Sequence, residues 1–278
     1  KGADEPFWGK RTPESLAHAF SVVKALDPSH ELVTIQAPKP DTADGLPTAG
    51  AADALAPYEA VTDFHGVDVY PVAYGNADPD LHRVGAWTQT IVKATPKRPV
   101  IAALQICFSG SDDPAGSGAF VMPTARQERF MIYDAIMNGA RGLSFFGGTV
   151  ASCLTGDDQT RGFNWKFWND VLAPLVSEIG ERSPMHAALL AYGTGLGLTT
   201  DDTLTQVMSR RVERTGEIWV FTGRRGATPA TLAVKVSGLP KTIAHGEVVG
   251  ENRMIDVKDG SFTDDHARWD VHVYRFTE

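Results

Sequence analysis

The sequence predicts an α/β fold in which the C-terminal five-eighths of a (β/α)8 barrel, strands four to eight, is followed by a small all-β sandwich. Three observations carry this expectation. From Pro13 to Ala191 short apolar runs alternate with helical patterns, the mark of β/α units. Beyond Asp201 the texture changes to short β-rich segments between Gly, Pro and Asp turns, the spacing of a sandwich. The first region, residues 1–195, is too short for a closed barrel, which typically needs about 250 residues. The second region is expected over 203–278.

The chain opens on Asp4-Glu5-Pro6, followed by Phe7 and Trp8, and reads as the exit of a buried strand into a loop. Thr12-Pro13-Glu14 then supplies an N-cap, a proline at the first helical position and an early acid. Leu16, Phe20, Val23 and Leu26 give that helix its period, and Asp27-Pro28 ends it. Strands are expected over Glu31–Gln36, within Ala60–Val72, over Pro99–Phe108 and over Gly142–Gly147. Helices are expected around Ala51–Ala60, from Leu81 to Ala94, from Pro123-Thr124 to Gly139, and over Trp165–Ile179. The sandwich segments are Val207–Val212, Glu217–Thr222, Ala230–Val236, His245–Val249, Met254–Val257 and Val271–Phe276.

Composition narrows the partners. Of 278 residues 26 are basic and 34 acidic, a net charge of -8, which argues against nucleic acid or an anionic membrane as partner. No apolar run approaches the length of a membrane span. With neither an initiator Met nor a signal peptide, Lys1 reads as a processed, trimmed or fragment start. A missing N-terminal segment or a second chain is expected to complete the barrel. Two cysteines, Cys107 and Cys153, exclude a disulfide scaffold and a cysteine-rich zinc site. They follow strands seven and eight, whose loops adjoin in a barrel. Two buried free thiols are the favoured reading; a disulfide is the alternative and would indicate an oxidising compartment, extracellular or periplasmic.

Reactive residues in a barrel gather at the C-terminal ends of its strands. Glu5 ends the presumed strand four, and Asp68, between Val67 and Val69, ends strand six. A carboxylate pair of this kind can protonate a glycosidic oxygen and supply a nucleophile or base. The separation is roughly 5–5.5 Å for retention and roughly 6.5–9.5 Å for inversion. One carboxyl must then be held protonated near neutral pH by burial or by the other's charge. Asp4, Trp8, His65, Tyr70 and Gln105 are the candidate substrate-binding residues. Tyr70 and Trp8 could stack on a sugar ring. Asp63 and His65 precede Asp68 in the same run and are expected on its face, with Asp63 structural and His65 a satisfied core histidine in the first instance. Gln105 ends strand seven, where its amide can bond a hydroxyl but cannot act as a nucleophile. Three acidic pairs, Asp112-Asp113, Asp157-Asp158 and Asp201-Asp202, resemble calcium-friendly loops, with simple solvation the better reading. No metal and no organic cofactor is expected: no His spacing suggests zinc, and no phosphate-cradling Gly loop is present.

Several strings resemble the bacterial (β/α)8-barrel glycoside hydrolases with a C-terminal β-sandwich. They are Asp4-Glu-Pro, Asp68-Val-Tyr-Pro71, Pro99-Val-Ile-Ala-Ala-Leu-Gln105, Pro123-Thr-Ala-Arg-Gln-Glu-Arg-Phe and Gly139-Ala-Arg-Gly-Leu-Ser-Phe-Phe146. The tail, Asp259-Gly-Ser-Phe-Thr-Asp264 with Val271-His-Val-Tyr-Arg-Phe276, resembles the last strands of that sandwich. The resemblance implies a glycosidase acting on a carbohydrate. Glu5 would match the strand-four acid of the large clan that uses strands four and seven, from which Gln105 departs. A pair on strands four and six is instead similar to the α-galactosidase-like clan. There the strand-four carboxylate is the nucleophile, and Asp68 would be the acid/base. A non-catalytic saccharide-binding barrel and a barrel lyase or isomerase are the rival readings. The sandwich is expected to brace the barrel rather than bind carbohydrate.

Overall fold

The computed structural model describes residues 2–37, 45–73, 79–108, 120–225 and 231–277. Two compact units emerge, one of residues 1–123 with 134–165, the other of 124–133 with 166–278.

The first unit is built on a parallel sheet of β1 (Val33–Gln36), β2 (Phe64–Asp68), β3 (Val100–Gln105) and β4 (Gly142–Phe146), in that order. Residues 2–5 run parallel beside β1. Gly2 N donates to Val33 O at 2.7 Å, Ile35 N to Ala3 O at 3.2 Å and Glu5 N to Ile35 O at 2.7 Å, and Asp4 bridges Ile35. The strand expected to end at Asp4-Glu5 is therefore present as a fifth parallel segment.

Helices α1 (Pro13–Leu26), α2 (Ala51–Leu55) and α3 (Arg83–Ala94) fill the crossovers. The Thr12 side chain caps α1 by accepting from Ser15 N. Helix α2 tightens into a 3-10 turn, Ala56–Val61, with Pro57 near its start. Val67, Val69, Val100, Ala102 and Leu104 are all buried on one face of the sheet, where α3 packs on β2 and β3. Each fully buried Val or Leu side chain among them contributes about 1.5–3 kcal/mol. At the start of α3 the buried Asp134 carboxylate accepts from Gly85 N at 2.6 Å, satisfying a first-turn donor and complementing the helix dipole. A Cβ on Gly85 would lie 2.4 Å from that same carboxylate, so the close approach requires glycine.

Cys107 and Cys153 are joined in a disulfide, their Cα atoms 6.4 Å apart. This overturns the free-thiol reading: the loops after β3 and β4 bring the two sulfurs together. Helix α5 (Gly156–Arg161) was not expected. Its signal is the capping box formed by Thr155 and Asp158. Asp158 of the Asp157-Asp158 pair is thus a buried cap rather than a solvated loop acid. Asp112-Asp113 lies outside the described residues.

In the second unit, the expected single helix over Trp165–Ile179 is α6 (Trp165–Phe167), a π turn (Trp168–Leu172) and α7 (Ala173–Ile179). Pro174 sits at the start of α7 and has no N–H for the regular ladder, which accounts for the irregular turn before it. Helix α8 (His186–Leu190) follows. The first half of α4 (Ala125–Met137) belongs to this unit. It is tied to the sandwich by Arg126, which reaches Arg268 O and Asp270, and by Arg129, which donates to Val271 O at 2.6 Å.

The sandwich pairs a five-stranded sheet, β10-β9-β12-β7-β6, with a three-stranded one, β11-β8-β5. Its strands are β5 (Thr199–Thr200), β6 (Thr205–Arg211), β7 (Ile218–Arg224), β8 (Leu232–Ser237), β9 (His245–Val248), β10 (Arg253–Asp256), β11 (Ser261–His266) and β12 (Val271–Phe276). Ile218, Val220, Val236, Val248, Phe262, Tyr274 and Phe276 form the core between them. Strand β7 is buried along its whole length, because Tyr133 also covers Phe221 on its other face; hence its unbroken apolar run. Asp202 of the last acidic pair accepts from Thr205 and Arg224, and Asp201 accepts from Lys235 N.

Candidate active site

Parallel strands deliver their C-terminal ends to one edge of a sheet, and β1 to β4 deliver theirs together. Asp68 is in register with Ala103, and Ala103 with Ser144; two residues on, Gln105 is in register with Phe146. Because side chains alternate across a strand, these positions share one face. The other face is the helix-covered one described above.

Glu5 sits where the ladder ends. Its N–H makes the last hydrogen bond to β1, and its own φ is +45°, a left-handed conformation uncommon outside glycine. Gly9 N then donates to Glu5 O at 2.8 Å, Arg11 N to Pro6 O at 2.9 Å, and Phe7 N to Gln36 Oε1 at 3.2 Å. The chain thus turns sharply at Glu5 and leaves it half-buried at the rim. Backbone strain of this kind costs about 1–3 kcal/mol and clusters at functional positions.

Tyr70 gathers the other acids. Burial, then the charges of Asp68, Glu5 and Asp4, then a hydrogen bond to Asp68, push its phenol well above the ordinary tyrosine range. Of these carboxylates Asp68 alone bonds the phenol; Glu5 and Asp4 act on it through their charge. The Tyr70 ring also stacks on Phe146, with centroids 5.1 Å apart and planes 14° apart, and tilts against Phe108 at 4.9 Å. Phe146 is 49% exposed. Phe108, just past β3, and Phe146, the last residue of β4, lie where strand-end position alone selects candidates, although the sequence assigned neither a role.

Other expected site residues lie elsewhere. His65 is not on the face of Asp68: three positions apart in a continuous strand, the two point to opposite sides. Its ring is wholly buried and bonds Glu59 O at 3.2 Å, and burial lowers its pKa. Asp63 accepts from Leu32 N at 2.9 Å and pairs with Lys24 at 3.3 Å, at the opposite end of β2 from Asp68. Gln105 does not offer its amide to a ligand. It is fully buried, with Oε1 accepting from Val72 N at 3.1 Å and Nε2 donating to Val72 O at 2.5 Å. Trp8 is 54% exposed in the turn after Glu5. Among the described residues no group of three or more His, Cys, Asp or Glu is arranged to hold a metal ion.

Solved structures of similar fold include the following two. A GH27 β-L-arabinopyranosidase from Geobacillus stearothermophilus, solved with arabinose, matches 96% of the chain with a TM-score of 0.54 at 11% identity. An α-amylase from Geobacillus thermoleovorans, solved with acarbose, matches 96% with a TM-score of 0.50 at 13% identity. The likeness is one of fold: a partial barrel with a β-sandwich. The chain spans 54% of the arabinopyranosidase and 64% of the amylase, and its five parallel segments form a partial (β/α)8 barrel accompanied by a β-sandwich. No protein-family model and no curated protein matches the chain.

Proposed function

We propose that the chain is the C-terminal part of a glycoside hydrolase, with strands four to eight of the catalytic barrel in residues 1–195 and an accessory sandwich in 203–278. Glu5 and Asp68 are its catalytic carboxylates. The observation that carries this reading is that Glu5 and Asp68 stand at the C-terminal ends of two parallel segments of one sheet, where a barrel gathers its reactive groups.

In the reaction, one carboxyl protonates the departing glycosidic oxygen. The other attacks the anomeric carbon or takes a proton from water. Similarity to the α-galactosidase-like clan assigns attack to the strand-four carboxylate and protonation to Asp68. The phenol of Tyr70 orients Asp68, and the exposed half of Phe146 offers an apolar sugar face a platform. Asp4, at the same rim, can accept from sugar hydroxyls. The remaining barrel strands come from a further segment or a second chain. The disulfide supports an extracellular or periplasmic location.

The test is turnover of aryl glycosides by the protein with its barrel completed. Glu5→Gln and Asp68→Asn should each lower kcat by about a thousandfold; wild-type turnover in both would end the reading. A second reading, a barrel that binds saccharide without cleaving it, draws on Gln105, which puts a structurally committed amide at the end of β3. Tight glycan binding without turnover would favour it.

A further inference from the structure

The ladder between β2 and β3 pairs Asp68 with Ala103 and goes no further along β2. Past it the chain runs through Val69, Tyr70 and Pro71 to Val72. Proline at position 71 has no N–H to give to a ladder, so ordinary pairing cannot hold this stretch. Gln105 holds it instead. Its amide accepts from Val72 N and donates to Val72 O, the two bonds that a neighbouring strand would supply to one residue. Gln105 and Val72 are both buried, so water does not compete for either bond.

The geometry points to Gln105 as a positioning residue: its side chain stands in for a missing ladder pair and fixes the Val69–Val72 segment, so that Tyr70 is held against Asp68. The amide is the one side chain of this length that does both jobs at every pH. An aliphatic chain makes neither bond, and a carboxylate accepts from Val72 N–H but repels Val72 C=O. Tyr70 lies between the anchored ends of this short segment. With Val72 released, its ring loses the register that places it on Phe146 and its phenol at Asp68. The role extends the proposed glycosidase reading, since the catalytic consequence rests on Asp68 being one of the carboxylate pair.

Hydrogen–deuterium exchange of the full chain tests the grip without reference to activity. In Gln105→Leu, residues 69–73 should exchange about tenfold faster than in the wild type, while β9 and β12 keep wild-type rates. In Gln105→Glu the segment should be protected at acid pH, where the introduced carboxyl is protonated and can donate to Val72 O. That protection should be lost, relative to wild type at the same pH, once the carboxyl ionises. In turnover assays of the completed barrel, kcat of Gln105→Leu should fall by about a hundredfold. Gln105→Glu should regain activity only on the acid side, a pH dependence that general loss of fold would not produce. Wild-type protection of 69–73 in a folded Gln105→Leu protein overturns the assignment. So does a Gln105→Glu protein whose kcat at neutral pH equals or exceeds wild type, because position 105 would then serve the chemistry directly. If Gln105→Leu does not fold, the two pH conditions of Gln105→Glu decide alone. Wild-type turnover in Asp68→Asn would remove the glycosidase reading yet leave the exchange result standing, so the two failures are distinct.

Discussion

The ring of Tyr70 lies 14° from parallel to that of Phe146, 5.1 Å between centroids, while its phenol bonds Asp68. The two ends of this one side chain serve different tasks, and substitution can separate them. Phe146→Ala removes the exposed half of the platform and should raise KM for a glycoside by about 1 kcal/mol of binding, with kcat little altered. Tyr70→Phe keeps the stack and removes the hydroxyl at Asp68, so it should lower kcat and spare KM. Equal effects of both variants on both constants would contradict this division.

Gly147 follows Phe146 with φ +91°, and a Cβ there would lie 2.2 Å from Cys107 O. Both conformation and space therefore demand glycine. Gly147→Ala should cost about 3 kcal/mol. Gly216 is the control: its φ is +73°, but a Cβ would meet nothing within 4 Å. Gly216→Ala should then cost only about 1 kcal/mol. Denaturant midpoints of the two variants give the comparison directly.

The disulfide between Cys107 and Cys153 closes a separation of 46 residues. Restricting the unfolded chain by a loop of that length is worth about 4 kcal/mol. Replacing both cysteines with serine should lower Tm by about 10 °C. Reductant should lower the wild type to a similar value and leave the double variant unmoved. A reductant-insensitive wild type would show that the bond is not formed in solution.

Glu128 on α4 is wholly buried, neither of its carboxyl oxygens has a hydrogen-bond partner among the described residues, and burial pushes it up to about 8. Above the ordinary value of 4.5 the unfolded carboxyl gives up its proton while the folded one retains it. Stability therefore declines as pH rises from about 4.5 to about 8 and levels off beyond, by at most about 5 kcal/mol. Glu128→Gln removes the titration and should flatten this slope, raising Tm above wild type at pH 8 more than at pH 5. Parallel slopes in thermal unfolding of the two proteins would exclude Glu128 as the source.

Much of the architecture was readable because it rests on local pattern. Helical spacing of Leu16, Phe20, Val23 and Leu26, with Thr12 and Pro13 before it, specified α1. Short apolar runs marked all four strands of the parallel sheet, and turn chemistry marked most of the sandwich. Strand β11 was picked out only by the resemblance of Asp259–Asp264 to a sandwich strand, and what escaped altogether was short: α5, whose capping box was in plain view, α8, and the two residues of β5. Elements of so few residues carry too little period to stand out.

By itself, the sequence determined which carboxylates end strands, since Asp4-Glu5-Pro6 and Val67-Asp68-Val69 carry their own boundary signals. The parallel segment beside β1 was recognisable from Asp4 and Glu5 alone. Only the tertiary structure decided what those residues face. His65 went to the helix-covered side, Gln105 turned from a ligand contact into a clamp on Val72, and Cys107 met Cys153 across 46 residues. It also brought Phe146 onto Tyr70 and the phenol to Asp68. The physical reason is the same in each case. Period and capping act within a few residues of the chain, whereas hydrogen-bond partners, ring stacking and electrostatic fields are set by which strand ends the parallel sheet places side by side.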